Sequence, residues 1–215
     1  MKGNTKDKIL RAAIRVFAQK GYRAATVREI MAEAGAANPS AVTYHFKGKE
    51  NLYRAVLEFM FEDAAKFIPD KTEGTPSPAE RLRQFIHTYM KIIYALDTEL
   101  DADLAAIFSK ELTHPSPFLG EMVETYLVPG GKELRQLLRE IAGPHVSKRT
   151  IEKCEDSIMG QIYYPLFAWP LISGARPKEP RAHEQIQESA EHIFKFSLAG
   201  LQGFTNADGS RPAPQ

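Results

Sequence analysis

The chain is short of cysteine. Cys154 is the single one in 215 residues, so no internal disulfide can form, and one thiol in a chain of this size points to a reducing compartment. Its expected role is that of a small buried residue. Long apolar runs are missing as well. None approaches the ~18 residues that a transmembrane helix needs, and Met1-Lys2-Gly3-Asn4 has no apolar signal core behind it. The expectation is a cytoplasmic protein without a membrane partner. Catalytic fingerprints are missing too: there is no HExxH, no G-x-S-x-G, no phosphate-cradling Walker loop and no dinucleotide-binding glycine pattern. No enzyme activity, cofactor or metal is expected. The acidic run Glu99, Asp101 and Asp103 reads as a helix start, where carboxylates complement the helix dipole. No alternating run of strand length and no internal repeat occurs.

What the sequence does contain is helix. Hydrophobic content of 43% and charged content of 26% describe a soluble globular chain long enough for a substantial core. Apolar residues recur at helical spacing from Ile9 to Leu201, with start and stop signals between the runs. The expected fold is all-α, about nine helices. Ser77-Pro78-Ala79-Glu80 has capping-box spacing, and Ser116-Pro117 is expected to open another helix. Pro129-Gly130-Gly131 is expected to kink or break a helix and to act as a hinge or shape a pocket. A helix from Ser147 is expected to end near Leu166, a proline-containing loop to fill Trp169 to Pro180, and a last helix to run from about Arg181 to Leu201.

Net charge is only +1, but its distribution is uneven. Residues 1–55 hold 11 Lys/Arg and 4 Asp/Glu, a balance of +7, whereas residues 56–215 hold 17 and 23, a balance of −6. A basic end on an acidic body is expected where one end meets a polyanion. Within that end, Thr26-Val27-Arg28-Glu29 has capping-box spacing, Val27, Ile30, Met31 and Ala34 follow at helical spacing, and Gly35 can close the helix in the left-handed conformation. Asn38-Pro39 then supplies an N-cap and a first-turn proline for a second short helix. Two short helices around a glycine-containing turn form a helix-turn-helix pattern.

The second helix, Pro39 to His45, is short and polar enough to enter the major groove of B-DNA. Val42 and Phe46 are expected to face the core. Asn38, Ser40, Ala41, Thr43, Tyr44 and His45 then face outward, with Asn38, Ser40 and Thr43 offering hydrogen bonds and Ala41 and the Thr43 methyl able to meet thymine methyls. Tyr44 or His45 taken alone is as readily a packed side chain, and Arg11, Arg15 and Arg23 read as a solvated face.

Three stretches carry a family resemblance: ILRAAIRVFAQKGYRAATVREIMAEAG (9–35), AVTYHF (41–46) and the KGKENLY run at Lys47–Tyr53. Together they resemble the TetR family of transcriptional regulators. ELTHPSPFLGEMVETYLVPG (111–130), taken with AVTYHF, is similar to its CecR/CerR-type branch. Gly35-Ala36-Ala37-Asn38 provides one residue more than most members have, so a looser turn is expected. The resemblance implies residues 1–50 as DNA-binding domain, 51–201 as helical effector-binding and dimerisation domain and 202–215 as a tail expected to be disordered. It implies phosphate contacts by Tyr44 and Lys49, with Thr26 and Arg28 gripping the DNA backbone. It also implies a homodimer through the last two long helices, a double-stranded operator with half-sites about 34 Å apart, and repression relieved by a small-molecule effector. Candidate pocket residues are Phe85, Tyr89, Phe108, His114, Phe118, Met122, Tyr126, Tyr163 and Phe167, with His87 and Tyr164 as further polar anchors. Each aromatic at helical spacing is equally a core residue. The alternative function is a helical ligand-binding or protein-interaction module without specific DNA binding, which would lack the steep salt dependence of counterion release.

Overall fold

The computed structural model describes residues 5–35, 40–65, 76–95 and 97–206, and all regular structure among them is helical. Helices α1 (Thr5–Ala24), α2 (Val27–Glu33), α3 (Ser40–Phe46), α4 (Lys49–Ala65), α5 (Pro78–Tyr94) and α6 (Glu99–Thr113) are followed by a short α7 (Leu119–Met122). A π turn at Val123–Leu127 leads into α8 (Val128–Ala142), and α9 (Lys148–Ala175) and α10 (Ile186–Asn206) complete the chain. Taking 119–142 as a single helical stretch gives nine among the described residues, as expected. The chain divides into two compact units, residues 1–66 with 96–126 and residues 67–95 with 127–215. Within the first unit α4 packs on α1 and α3, and α6 packs on α1.

In the first unit the helix ends follow from local chemistry. Gly21, at φ 73° and ψ 170°, interrupts α1 near its end, a conformation that glycine adopts without strain. Gly35, at φ 63°, closes α2 in the left-handed region. The Thr26 capping box is complete: Thr26 Oγ1 accepts the Glu29 N–H at 3.3 Å, and Glu29 Oε2 accepts the Thr26 N–H at 2.9 Å. Phe17, Ile30, Met31, Val42, Leu52, Tyr53 and Val56 close the core between these helices. Helix α1 also packs along α6. Thr98 caps α6 in a box with Asp101, and Arg15 lies 2.8 Å from Glu99 and 3.9 Å from Asp103. The acidic run is therefore a helix start, and Arg15 is not merely solvated: it joins α6 to Glu33 of α2 at 3.1 Å.

The second unit is built on Leu82, Ile86, Met90, Leu137, Leu138, Ile151, Ile158, Ile162 and Ala190. Two expectations fail here for one reason, the treatment of proline. Pro129 does not break its helix; it occupies the first turn of α8, where no N–H is required. The irregularity falls just before it, in the π turn, whose wider ring relieves the clash between a proline and the preceding carbonyls. Gly130 lies close to Tyr89, whose hydroxyl would be 2.8 Å from a Cβ at that position. Likewise α9 does not end at Leu166 but runs through Pro165 and Pro170 to Ala175. Burial of Ala168 and Ile172 keeps the helix going, and the Tyr94 hydroxyl donates to the Ile162 carbonyl at 2.7 Å beside the bonds the prolines remove. Helix α10 begins after a 3-10 turn at Ala182–Glu184 and extends to Asn206, into the stretch expected to be tail. Residues 207–215 lie outside the described residues. Ser116 does not open a helix; it is buried, and α7 starts three residues later.

Glu29 is held by Lys20 at 2.6 Å and by Thr26, and these bonds lower its pKa from 4.5 to about 2. Because the folded value lies below the unfolded one, its stabilising contribution is complete above about pH 4.5 and disappears as pH falls toward 2. Replacing Glu29→Gln should flatten the acid limb of a denaturation profile over that window, and Thr26→Ala should cost about 1 kcal/mol in chemical denaturation. An unchanged acid limb in the Gln variant would remove the cap from the account.

Candidate nucleic-acid interface

Helix α3 is two-faced. Val42 is 0% and Phe46 6% exposed, both anchored in the first unit's core, while Ser40, Thr43 and Tyr44 are exposed and Ala41 and His45 half-buried. Tyr44 stands out at 77% exposure and packs edge-on against the His45 ring at 4.9 Å between centroids. Asn38 and Pro39 lie outside the described residues, as does the Ala36-Ala37 stretch where a looser turn was expected. Behind the helix, Lys6 sits 5.7 Å over the Phe46 ring. Lys47 adopts φ 63° and its N–H caps α3 on the Thr43 carbonyl at 3.0 Å, so the basic turn is a tight reversal into α4.

The expected backbone-gripping residues have structural duties as well. Thr26 gives both its N–H and its hydroxyl to Glu29. Arg28 is exposed on α2. Lys49 donates to the Arg23 carbonyl at 3.3 Å and lies 4.9 Å over the Tyr22 ring, and burial lowers its pKa. An ammonium has three donors, so the bond to Arg23 does not exhaust it.

The candidate pocket residues fall into both units. In the first, Phe118 packs on Tyr22 at 5.5 Å, Tyr126 stacks on Phe61 at 5.1 Å, and Met122 is 2% exposed. Phe108 is half-buried, and His114 is exposed at the C-terminus of α6. In the second, Phe85 stacks on Tyr89 at 4.3 Å. Burial there pushes the Tyr163 hydroxyl up to about 12 and raises that of Tyr89. Phe167 faces outward at 47% exposure, in a row with Tyr164 and Leu171. Between α9 and α10 runs an open groove of about 760 Å³, bordered by Tyr164, Trp169, Ile172, Ile193 and Phe196.

A group missed from sequence lies where α6 meets α4. Glu111 is 2% exposed and accepts from the Tyr53 hydroxyl at 2.7 Å, the Ser116 N–H at 3.1 Å and the Ser116 hydroxyl at 2.9 Å. The signal was its place in the last turns of α6, the negative end of the helix dipole, where a carboxylate is unfavourable unless a tertiary contact holds it. No group of three or more His, Cys, Asp or Glu is placed to hold a metal among the described residues, and no helix there is long and apolar enough to cross a membrane.

Two short helices, α2 and α3, with a polar outward face on α3 at the basic end of the chain, are the arrangement expected of a helix-turn-helix transcriptional regulator. Comparison with known proteins agrees at both ends. Residues 9–56 match the model for bacterial regulatory proteins of the tetR family, and residues 78–201 match the C-terminal domain of the HTH-type transcriptional dual regulator CecR. The chain belongs to the TetR family, in its CecR-type branch, as the four resembling stretches implied. It is 30% identical over 130 residues to the probable HTH-type transcriptional regulator YttP of Bacillus subtilis, over 60% of each chain. It is 27% identical over 169 residues to the dual regulator CecR of Shigella flexneri, over 73% of each. The chain spans less than two thirds of the length of several curated relatives it matches, YttP among them. The solved structure of the regulator FadR from Bacillus subtilis in complex with stearoyl-CoA shares the fold. It has a TM-score of 0.63, covers 90% of this chain and 98% of that one, and is 19% identical.

The two faces of α3 should separate by mutation. Tyr44→Ala should leave the unfolding midpoint within a degree or so while weakening DNA binding, because an exposed side chain contributes little to stability. Val42→Ala should lower stability by about 2 kcal/mol through a core cavity. Thermal denaturation and a mobility-shift titration of both variants check this; a destabilised Tyr44 variant with unaltered DNA affinity would contradict it.

Proposed function

We propose that the chain binds a palindromic DNA operator as a homodimer, represses transcription there, and is released when a small-molecule effector binds the helical body. The observation that carries this reading is the division of α3, with Val42 and Phe46 locked inward and Ser40, Thr43 and Tyr44 outward. Locked anchors hold the outward face in one orientation, which reading base edges requires. In this reading Asn38, Pro39, Ser40, Ala41, Thr43 and His45 meet the major groove. Thr26, Arg28, Tyr44 and Lys49 engage phosphates, which set register without reading sequence.

The outer faces of α9 and α10 support the dimer. Tyr164, Leu171 and Phe196 are 56%, 74% and 64% exposed, a density of exposed large apolar side chains that marks an interaction surface. Two copies of this helix pair make a four-helix contact about a two-fold axis. A dimer also answers the energetic need, since a single seven-residue helix touches few bases and two linked half-sites multiply their affinities. The half-buried Phe85, Tyr89 and Tyr163 set in the second unit is the part of the candidate pocket best suited to an effector. It releases DNA only if the effector binds one arrangement of the dimer better than the other.

Selection of bound fragments from a genomic or random DNA pool with the purified chain tests the reading. A palindromic motif with half-sites one helical turn apart is expected. No enrichment, with or without cell extract, would overturn it. The double variant Leu171→Arg, Phe196→Arg should sediment as a monomer and lose operator affinity on the order of a hundredfold. A monomeric variant that binds as tightly as the native chain would remove the dimer from the mechanism.

A further inference from the structure

Glu111 is the one charged side chain among the enclosed polar groups of the described residues, the others being Ser116 and Ser197. Among the described residues it has no cationic partner in its hydrogen-bond set. Among the described residues it accepts from three donors, two of them from Ser116 and one from Tyr53 of α4. A carboxylate removed from water is stable only with such donors in good geometry, and an apolar side chain of similar volume would pack there at less cost in desolvation. What the carboxylate adds over an apolar contact is direction: apolar surfaces slide past one another, and three hydrogen bonds to fixed donors do not.

We propose that Glu111 is a positioning residue for DNA recognition, fixing the pitch of α4, and with it α3, against α6. The connection is continuous within the first unit. Tyr53 lies on the first turns of α4, between Leu52 and Val56, which are buried with Val42 and Phe46 of α3. Its ring meets Phe17 of α1 edge-on at 4.7 Å. On the other side, the Ser116 hydroxyl accepts the Phe118 N–H at 3.3 Å, and the Phe118 ring takes the Arg54 guanidinium of α4 at 5.0 Å. Arg54 in turn pairs with Glu121 of α7. The stretch from Glu111 to Glu121 is thus keyed into α4 by one buried carboxylate, one aromatic ring and one ion pair, of which only the carboxylate is fully enclosed. Burial, with the bond to Glu111, raises the Tyr53 pKa and keeps its phenol a donor. Loss of this lock would let α3 and α4 sample several pitches, and apparent affinity falls in proportion to the share of the population left in the binding pose.

The inference rests on the DNA-binding reading for its affinity test but not for its distance test. In a Cys154→Ser background, spin labels at Tyr44→Cys on α3 and Leu112→Cys on α6 report the pitch directly. The native lock should give a narrow distance distribution, and Tyr53→Phe or Glu111→Gln a broader one. Without labels, each variant should bind the selected operator about tenfold more weakly, the double variant no worse than the weaker single one, and the salt slope should stay the same because no phosphate contact is lost. Tyr53→Phe, which removes one oxygen, guards against a misfolded Gln variant. Distributions as narrow as the native one in folded variants would overturn the proposal, as would operator affinity within twofold of native accompanied by a lowered melting temperature, the pattern of a residue that only stabilises. If the native chain bound no DNA, the functional reading would fall and the distance arm would still decide this one.

Discussion

The buried phenol of Tyr53 is the contact around which the helices of the first unit are gathered. Its ring closes the small core beside Phe17, and its hydroxyl ends on the Glu111 carboxylate. Two of the helices gathered there, α2 and α3, are seven residues each. Helices this short do not hold themselves in water. They are held by Ile30, Met31, Val42 and Phe46, by caps at Thr26 and Gly35, and by the longer helices α1, α4 and α6 that the Tyr53 contact joins.

Basic residues of the first unit also join its helices. Lys49 ties α4 to the end of α1 and remains at the basic turn; Arg15 gathers carboxylates from α2 and α6. Residues 56–215 carry a balance of −6, and a polyanion is repelled wherever carboxylates outnumber cations. In the second unit the problem is different. Its core is large, and its outward α9 and α10 faces are the ones left apolar.

Local signals in the sequence carried most of the fold. The Thr26 box, the Gly35 stop, and the inward Val42 and Phe46 were all legible because each is settled within four residues of chain. Pro129, Pro165 and Pro170 misled for the opposite reason: whether a proline ends a helix depends on what lies upstream and on what the helix packs against. The π turn before Pro129 and the burial of Ala168 and Ile172 have no local signature. Glu111 was illegible in the same way. Its partner Tyr53 is 58 residues away, and only its unfavourable place near the C-terminal end of α6 hinted at a tertiary role. The outward placement of Ser40, Thr43 and Tyr44 was readable as a set, because Val42 and Phe46 fix the inward face of the same short helix.

The account's central claim is that the exposed face of α3 is the surface that meets DNA. A photo-crosslinking residue at position 44, compared with one at Leu112 on α6, tests it most directly. Irradiation with the selected duplex should crosslink DNA from position 44 and not from position 112. Crosslinking from position 112 alone, or from neither when binding is saturated, would contradict it.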